Sequence, residues 1–190
     1  GNGTTSGSDN SFFGNRAGQV NTTGQFNSFF GTFSGFFNNT GSDNSYFGNE
    51  TGYNNTDGSR NSFLGSKAGR ENKSGSDNAF LGSFAGRANT FGSNNSFVGS
   101  NAGQANDTGI NNSFFGAGSG FNNTASNNTF LGTDSGRANI SGAHNTFIGR
   151  NAGLANTLGE LNVFIGMNAG QANTLGKSNT VIGAEANLSG

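Results

Sequence analysis

The sequence repeats one five-residue motif along its whole length. The motif is Asn-Ser-Phe-Phe-Gly at residues 10–14, and variants of it return at residues 27–31, 44–48 and onward to residues 179–183. Eleven copies are present, and nine of the ten intervals between them are equal, at about 17 residues each. The interval from Asn112 to Asn128 is one residue shorter. A fixed short period is typical of solenoids, in which each repeat forms one coil. We therefore predict an all-β fold, a parallel β-solenoid (β-roll) of eleven coils, as a single domain over residues 1–190.

Glycine marks the corners of the predicted coil. We number the positions of each coil from its first glycine, so that Gly7 is at position 1 and Asn10 at position 4. Glycine recurs at positions 1, 8 and 12, which indicates corners with positive φ or close approach between coils. No segment has the 3.6-residue period of a helix. Short strands are expected at positions 4–7, and again near positions 10–11 and 14–16. The turn at residues 124–127 should absorb the missing residue of the short interval.

Two adjacent positions of the motif are apolar in almost every coil. Neighbouring residues of a strand point to opposite faces, so one of the two positions can face the interior of its own coil and the other cannot. We interpret both as assembly ladders. Position 6 holds Phe12, Phe29, Tyr46, Phe63, Phe80, Phe97, Phe114, Phe130, Phe147, Phe164 and Val181, and position 7 holds Phe13, Phe30, Phe47, Leu64, Leu81, Val98, Phe115, Leu131, Ile148, Ile165 and Ile182.

The side chains of the outward-facing ladder should be buried against other apolar groups. Burying a large apolar side chain is worth about 1.5–3 kcal/mol, so eleven exposed ones would forgo about 15–30 kcal/mol. Soluble monomers rarely tolerate an apolar patch of that size. Copies of the same chain around a shared axis are the simplest cover, and we expect a homo-oligomer, with a trimer favoured. A second sheet of the same coil, or lateral packing in a fibre, are the alternatives.

Asparagine occupies two positions of the repeat with great regularity. Stacked amides at a strand spacing of about 4.8 Å can form hydrogen bonds along the stack. We therefore predict asparagine ladders at position 15, in ten coils, and at position 4, where the residues are Asn10, Asn27, Asn44, Asn61, Asn78, Asn95, Asn112, Asn128, Asn145, Asn162 and Asn179.

Thirteen Asn-x-Ser/Thr sequons occur, which is more than the composition alone would give. Turn composition accounts for most of them, and a glycan-coated surface is the alternative. The candidate glycosylation sites are Asn21, Asn38, Asn72, Asn106 and Asn139.

Composition argues against several classes of function. Nine basic and ten acidic residues give a net charge of −1, which provides no electrostatic basis for binding nucleic acid. There is no cysteine, one histidine (His144) and no apolar run long enough to span a membrane. Asp9, Asp43 and Asp77 recur in alternate coils, too far apart for a retaining carboxylate pair, and are interpreted as turn residues. We expect no catalysis, metal or cofactor.

Two further patterns suggest alternative functions. Eight aromatic residues lie outside the ladders, and four of the eight fall in the second coil as Phe26, Phe33, Phe36 and Phe37. They could form a lateral contact or stack on surface glycans. Threonine recurs at position 16, as in ice-binding solenoids, but Asn39, Lys73, Asp107 and Ile140 interrupt the column; its members are Thr22, Thr56, Thr90, Thr124, Thr157 and Thr174.

The repeat resembles a known kind of protein. Residues 145–156 and 162–173 follow the pattern Asn-x-Phe-Ile-Gly-x-x-Ala-Gly-x-x-Asn, which resembles repeats of bacterial and phage surface fibres and is similar to the β-roll head of trimeric autotransporter adhesins. The resemblance implies a left-handed parallel roll, an extracellular or cell-surface location, and adhesion or fibre building. Because the chain starts and stops in mid-coil, we expect a segment of a longer array or a stacking fibre subunit. We expect a structural rod, with a glycan-binding adhesin or phage tail-fibre module as the alternative and an ice-binding solenoid as a minor one.

Overall fold

The computed structural model describes residues 6–187, and it confirms a parallel β-solenoid with one short strand in each coil. The eleven strands form one sheet in chain order. All ten strand pairs are parallel and join residues at the same position of successive coils. The strands are β1 (Ser11–Phe13), β2 (Ser28–Phe30), β3 (Ser45–Phe47), β4 (Ser62–Leu64), β5 (Ala79–Leu81), β6 (Ser96–Val98), β7 (Ser113–Phe115), β8 (Thr129–Leu131), β9 (Thr146–Ile148), β10 (Val163–Ile165) and β11 (Thr180–Ile182).

The short interval leaves the sheet undisturbed, as predicted. Strands β7 and β8 flank it, and Phe114 still pairs with Phe130. The missing residue falls in the turn, where Ala125 takes the place that glycine has at position 1 of the other coils. The Ala125 carbonyl accepts the Nδ2 groups of Asn112 and Asn123 at 2.8 and 2.7 Å. The turn therefore changes its length while keeping the hydrogen bonds that hold the stack together.

The additional strands expected near positions 10–11 and 14–16 are absent from residues 6–187, and that part of the prediction is wrong. These positions are turns and bends, although backbone hydrogen bonds still join successive coils there. For example, the Gly18 amide donates to Ser34 O and the Val20 amide to Phe36 O, both at 3.0 Å. No strand forms near positions 10–11 because the chain takes positive φ at positions 10 and 12, and this interrupts the extended backbone that a strand needs.

The glycine corners are confirmed. Position 8 has φ of 128–139° and position 12 has φ of 56–59°, conformations that favour glycine. At position 1 the reason is close approach, since a Cβ built on Gly24 would collide with the Gly41 carbonyl of the next coil. Positions 3 and 10 are also left-handed but, apart from Gly118 at position 10, carry other residues. Asp9, Asp43 and Asp77 have φ of 57–60° at position 3, in keeping with their interpretation as turn residues.

The interior of the coil is filled by a stack of rings at position 6. From Phe12 to Phe164, successive ring centroids lie 4.7–5.0 Å apart with interplanar angles of 4–11°. Each ring lies against the backbone glycine at position 12. A Cβ on Gly103 would be 2.5 Å from Phe97 Cε2. Small residues at position 11, such as Ala85 and Ala102, complete the apolar core. The lumen is thus closed by one ring and one small side chain per coil.

Two different asparagine ladders hold the coils together. At position 15 the amides bond to one another: Asn38 Nδ2 donates to Asn21 Oδ1 at 2.8 Å, and Asn55 Nδ2 donates to Asn38 Oδ1 at 2.7 Å. At position 4 the ladder runs between side chain and backbone, because the Asn44 amide N–H donates to Asn27 Oδ1 at 3.0 Å. Both types of side chain are fully buried in most coils. Each amide therefore satisfies buried polar groups that would otherwise be costly.

The two ladders meet at one carbonyl in each coil. In the first turn of the stack, Gly24 O accepts Asn10 Nδ2 at 2.8 Å and Asn21 Nδ2 at 3.0 Å. A peptide oxygen can accept two hydrogen bonds, and an asparagine amide supplies both a donor and an acceptor. Aspartate would lack the donor, which explains why both positions use asparagine.

Candidate assembly face

The strands present one apolar residue to the interior and one to solvent. At position 6, every side chain from Phe29 to Phe164 is at most 1% exposed. Position 7 points the other way; its exposure reaches 72% at Phe13 and 67% at Ile182, and residues between them such as Leu64 are 50% exposed. We call the residues at position 7 the outward stripe. They are Phe13, Phe30, Phe47, Leu64, Leu81, Val98, Phe115, Leu131, Ile148, Ile165 and Ile182.

The prediction that positions 6 and 7 both form assembly ladders is therefore corrected for position 6. The side chains at position 6 pack against their own stack and the glycines of their own coil, so they form the core of a single chain rather than a contact between chains. The assembly hypothesis therefore applies to the outward stripe alone. The alternative of a second sheet folding over the stripe within residues 6–187 does not occur.

The outward stripe is continuous but its shape varies along the rod. At the start, Phe30 and Phe47 stack with centroids 4.8 Å apart and planes 2° apart. In the middle, Leu64, Leu81 and Val98 form the floor of an open apolar groove of about 460 Å³, closed at its ends by Phe47 and Phe115. Small side chains at position 5, mostly serine, flank the groove. No charged residue occurs at position 5 or position 7.

Charged residues lie on the turns instead. Ion pairs join neighbouring coils, as in Arg60 Nε to Asp77 Oδ1 at 2.6 Å and Lys177 Nζ to Glu160 Oε1 at 2.7 Å. The hydrogen bond and charge of Arg60 lower the pKa of Asp77, and Lys177 lowers the pKa of Glu160 in the same way. Exposed pairs of this kind contribute little to stability. The strand face is therefore uncharged, and the turns carry the charged residues of the surface together with single exposed apolar side chains such as Phe91 and Ile140.

Three of the four aromatic residues of the second coil, Phe33, Phe36 and Phe37, form a cluster, and its fourth member is Tyr53 of the next coil rather than Phe26. Most of the ring faces in this cluster are already covered. Phe36 and Tyr53 stack at 5.2 Å, and Phe37 meets both rings edge-on at 4.5 and 5.3 Å. The Arg70 guanidinium lies 5.1 Å from the Tyr53 centroid, which covers its other side. Phe33 packs tilted against Phe36 at 5.7 Å. Phe37 is the most exposed member at 38%.

The five candidate glycosylation sites lie inside the coil. All five belong to the ladder at position 15 and have 0% exposure: Asn21, Asn38, Asn72, Asn106 and Asn139. Their Nδ2 atoms are donors in the amide ladder, as in Asn72 Nδ2 to Asn55 Oδ1 at 2.7 Å. An N-linked glycan replaces a hydrogen on that nitrogen and needs space outside the coil, so this fold does not accommodate one at these sites. The exposed sequons, including Asn94, Asn111, Asn122 and Asn127, have no such restriction.

Threonine side chains at position 16 form hydrogen bonds with the backbone of the next coil. Thr56 Oγ1 donates to Lys73 O at 2.9 Å, Thr124 Oγ1 to Ile140 O at 2.9 Å, and Thr157 Oγ1 to Thr174 O at 3.1 Å. These hydroxyls therefore have a structural partner in the next coil. The recurrence of threonine at position 16 is explained by this hydrogen bond.

Residues 6–187 contain no group of three His, Cys, Asp or Glu side chains arranged to hold a metal ion. His144 is exposed at the left-handed corner of position 3, with φ of 59°. The same part of the chain has no helix long and apolar enough to cross a membrane.

Comparisons with protein-family models, with curated proteins and with solved structures gave no match to this chain. The class that the fold defines is a repetitive β-solenoid protein with coils of about 17 residues.

Proposed function

We propose that this chain is a non-catalytic, extracellular structural rod that assembles with copies of itself through the outward stripe. The single observation that supports the proposal is the exposure of the stripe, an uncharged apolar ladder present in all eleven coils. Its counterpart at position 6 already fills the core, so the chain has nothing left among residues 6–187 to cover it. Apolar patches of this length mark protein contacts.

The dimensions of the stripe favour three chains around one axis. Eleven strands at about 4.8 Å give a face about 50 Å long, and a three-residue strand gives a width of about 10 Å. Two such faces together would bury about 1,000 Å², which lies below the range of standard specific interfaces. Three chains around one axis would bury more of this narrow outward stripe than two chains would, because each chain then contacts two others. The left-handed winding and cell-surface location that the resemblance implies belong to the same proposal.

The mass of the protein in solution tests the assembly. We expect sedimentation at three times the 19.3 kDa chain mass. Leu131→Asp places a charge in the stripe, where Leu131 is 47% exposed, and should reduce the mass to that of one chain. Ile140→Asp is the matched control, because Ile140 is equally exposed at 49% but lies on a turn; its mass should not change. Wild-type protein that stays at one chain mass at high micromolar concentration would contradict the proposal.

Electron microscopy distinguishes the trimer from lateral packing in a fibre. Short particles with the length of one eleven-coil stack indicate a closed trimer, and long bundles indicate a fibre. Antibody labelling of intact cells that carry the protein tests the surface location independently of the mass.

A glycan-binding adhesin or phage tail-fibre module is the second candidate function. The observation that favours it is the aromatic cluster, with Phe37 partly exposed next to Phe33 and Phe36. Binding on a glycan array that disappears when all three phenylalanines are replaced by alanine would support this function. Ice binding is less well supported, because the threonine hydroxyls donate to backbone carbonyls; a thermal-hysteresis assay tests it directly.

A further inference from the structure

The turn side of the rod carries a small pocket with a mixed polar and apolar lining, separate from both the outward stripe and the aromatic cluster. The pocket has a volume of about 270 Å³ and spans three successive coils at positions 9, 10 and 13. The stripe lies on positions 5 and 7 of the strands, so the two features do not share residues. The lining of the pocket includes Gly118, Phe121, Asp134 and Arg137.

Gly118 creates the space. It is at position 10, which is left-handed throughout the rod, yet the other ten coils place larger residues there with φ of 52–59°. Gly118 itself has φ of 67°. The corner therefore does not require glycine, because residues as different as Phe84 and Asn151 adopt it. A Cβ on Gly118 would collide with Asp134 Oδ1. The missing side chain thus leaves room for Asp134 and for the pocket beside it.

The charged pair in the pocket is held in a fixed arrangement. Arg137 Nη1 donates to Asp134 Oδ1 at 2.7 Å, within one coil. The Arg137 guanidinium also lies 5.1 Å from the Phe121 ring centroid. A planar guanidinium that stacks on a ring and pairs with a carboxylate loses little further freedom when it binds a ligand. Because 48% of the Arg137 side chain is exposed, it remains accessible from solvent.

The chemistry of the lining selects a neutral, hydroxyl-rich ligand. The charges of Asp134 and Arg137 cancel, so neither a cation nor an anion is favoured. Asp134 supplies acceptors, Arg137 supplies donors, and Ser100, Thr133 and Asn101 supply groups of both kinds. Adjacent hydroxyls of a sugar need such a mixture of donors and acceptors. The volume is below the roughly 300–1,000 Å³ of sites for drug-sized ligands, which limits the ligand to one ring.

We propose that this pocket binds a single neutral monosaccharide unit. Asp134 would accept hydrogen bonds from two adjacent sugar hydroxyls, and the free N–H groups of Arg137 would donate to sugar oxygens. One shallow, half-exposed site should bind with a Kd of about 1 mM. Each chain carries one such site, so three chains in one assembly would raise the avidity without new contacts, but the site itself does not depend on the assembly proposed above.

The test is an NMR titration of the wild-type chain with the methyl glycosides of glucose, galactose and mannose, and with glucuronate as a charged comparison. We expect saturable binding of at least one neutral glycoside, with shift changes at Gly118 and Arg137. Gly118→Asn, which gives position 10 the residue found at Asn101 and Asn151, should weaken binding at least tenfold and leave the melting temperature unchanged. Asn168→Gly makes the reverse change in a distant coil and is the control that should bind normally.

A second variant keeps the test decisive if Gly118→Asn folds poorly. Arg137→Lys keeps the charge but removes the stacked, forked donor, and should also weaken binding at least tenfold. The proposal is overturned if no neutral glycoside binds, if glucuronate alone binds, or if binding survives both variants. Leu131→Asp should bind as the wild type does, so failure of the assembly proposal and failure of this one give different results.

Discussion

Phe114 and Phe115 are neighbours in β7 with the same side chain, yet they have opposite roles. Phe114 is fully buried in the ring stack, whereas Phe115 is 41% exposed in the outward stripe. The strand alternates its side chains, and the coil closes around only one of them. The comparison shows that this fold uses the same apolar chemistry twice, once to make each coil stack on the next and once to make a surface. What a phenylalanine contributes depends on which side of a three-residue strand it occupies.

The largest expected effect comes from truncating each member of this pair. Phe114→Ala removes a ring from the middle of the stack and leaves a cavity, which should lower the free energy of unfolding by about 3–5 kcal/mol. Phe115→Ala should lower it by less than about 1 kcal/mol in the single chain, because the ring is already in contact with water. Urea denaturation of both variants, under conditions where sedimentation shows one chain, measures the difference. Equal losses would mean that the two sides of the strand are not distinct.

The two columns of residues already differ in the sequence. Position 6 is aromatic in ten of eleven coils, whereas position 7 holds four phenylalanines and seven aliphatic residues. A closed lumen needs a side chain of constant size and a flat shape at each level, since each ring packs against the glycine at position 12. A surface ladder tolerates exchange among Phe, Leu, Val and Ile. How little the residue type varies from coil to coil therefore distinguishes position 6, in the interior, from position 7, in the outward stripe.

Other features could be predicted only in part. The period, the strand register and the glycine corners follow from the repeat because each coil has the same neighbours. The additional strands were predicted wrongly, because the left-handed corner at position 10 is occupied by residues such as Phe33, Lys67 and Phe84, which carry no sign of positive φ in the sequence. The pocket beside Gly118 could not be recognised either, since one glycine among 35 stands out only when the corner geometry is known.

A second pair of neighbours extends the comparison to polar side chains. Asn123 is fully buried, and its Oδ1 accepts Asn139 Nδ2 at 2.5 Å and Asn128 Nδ2 at 3.1 Å. Asn122, next to it, is exposed. Asn123→Ala should lower the free energy of unfolding by about 2–4 kcal/mol, because buried partners each lose a hydrogen bond worth about 1–3 kcal/mol. Asn122→Ala should change it by less than about 0.5 kcal/mol. Thermal and urea unfolding of the two variants provide the measurement.

A comparable cost for Asn122→Ala and Asn123→Ala would show that the ladder at position 15 does not hold the coils together. The same pair also tests the sequons. If the chain is produced in a glycosylating host, mass spectrometry should find glycan on Asn122 and not on Asn106 or Asn139.

Tyr46 tests the interior with the smallest change, a single oxygen atom. It is the one ring at position 6 with a hydroxyl, and that hydroxyl is buried without a hydrogen-bond partner within the described part of the chain. Burial raises the pKa of Tyr46 well above its usual value, and the nearby Asn61 side chain acts in the opposite direction. Tyr46→Phe should therefore raise the free energy of unfolding by about 1–2 kcal/mol. The reverse exchange on the other side of β3, Phe47→Tyr, should have almost no effect because Phe47 is 42% exposed.

The dependence on pH gives this last prediction a second readout. The folded chain keeps the Tyr46 proton at pH values where the unfolded chain, with an ordinary pKa of about 10, has lost it. The stability linked to that proton is complete below pH 10 and decreases as the pH rises above 10. Tyr46→Phe lacks this decrease, so its advantage over the wild type should grow between pH 9 and pH 11. Urea titrations of both proteins across this range measure the difference in their free energies of unfolding. A difference that stays constant or shrinks would mean that solvent reaches the Tyr46 hydroxyl and that the ring stack does not exclude water there.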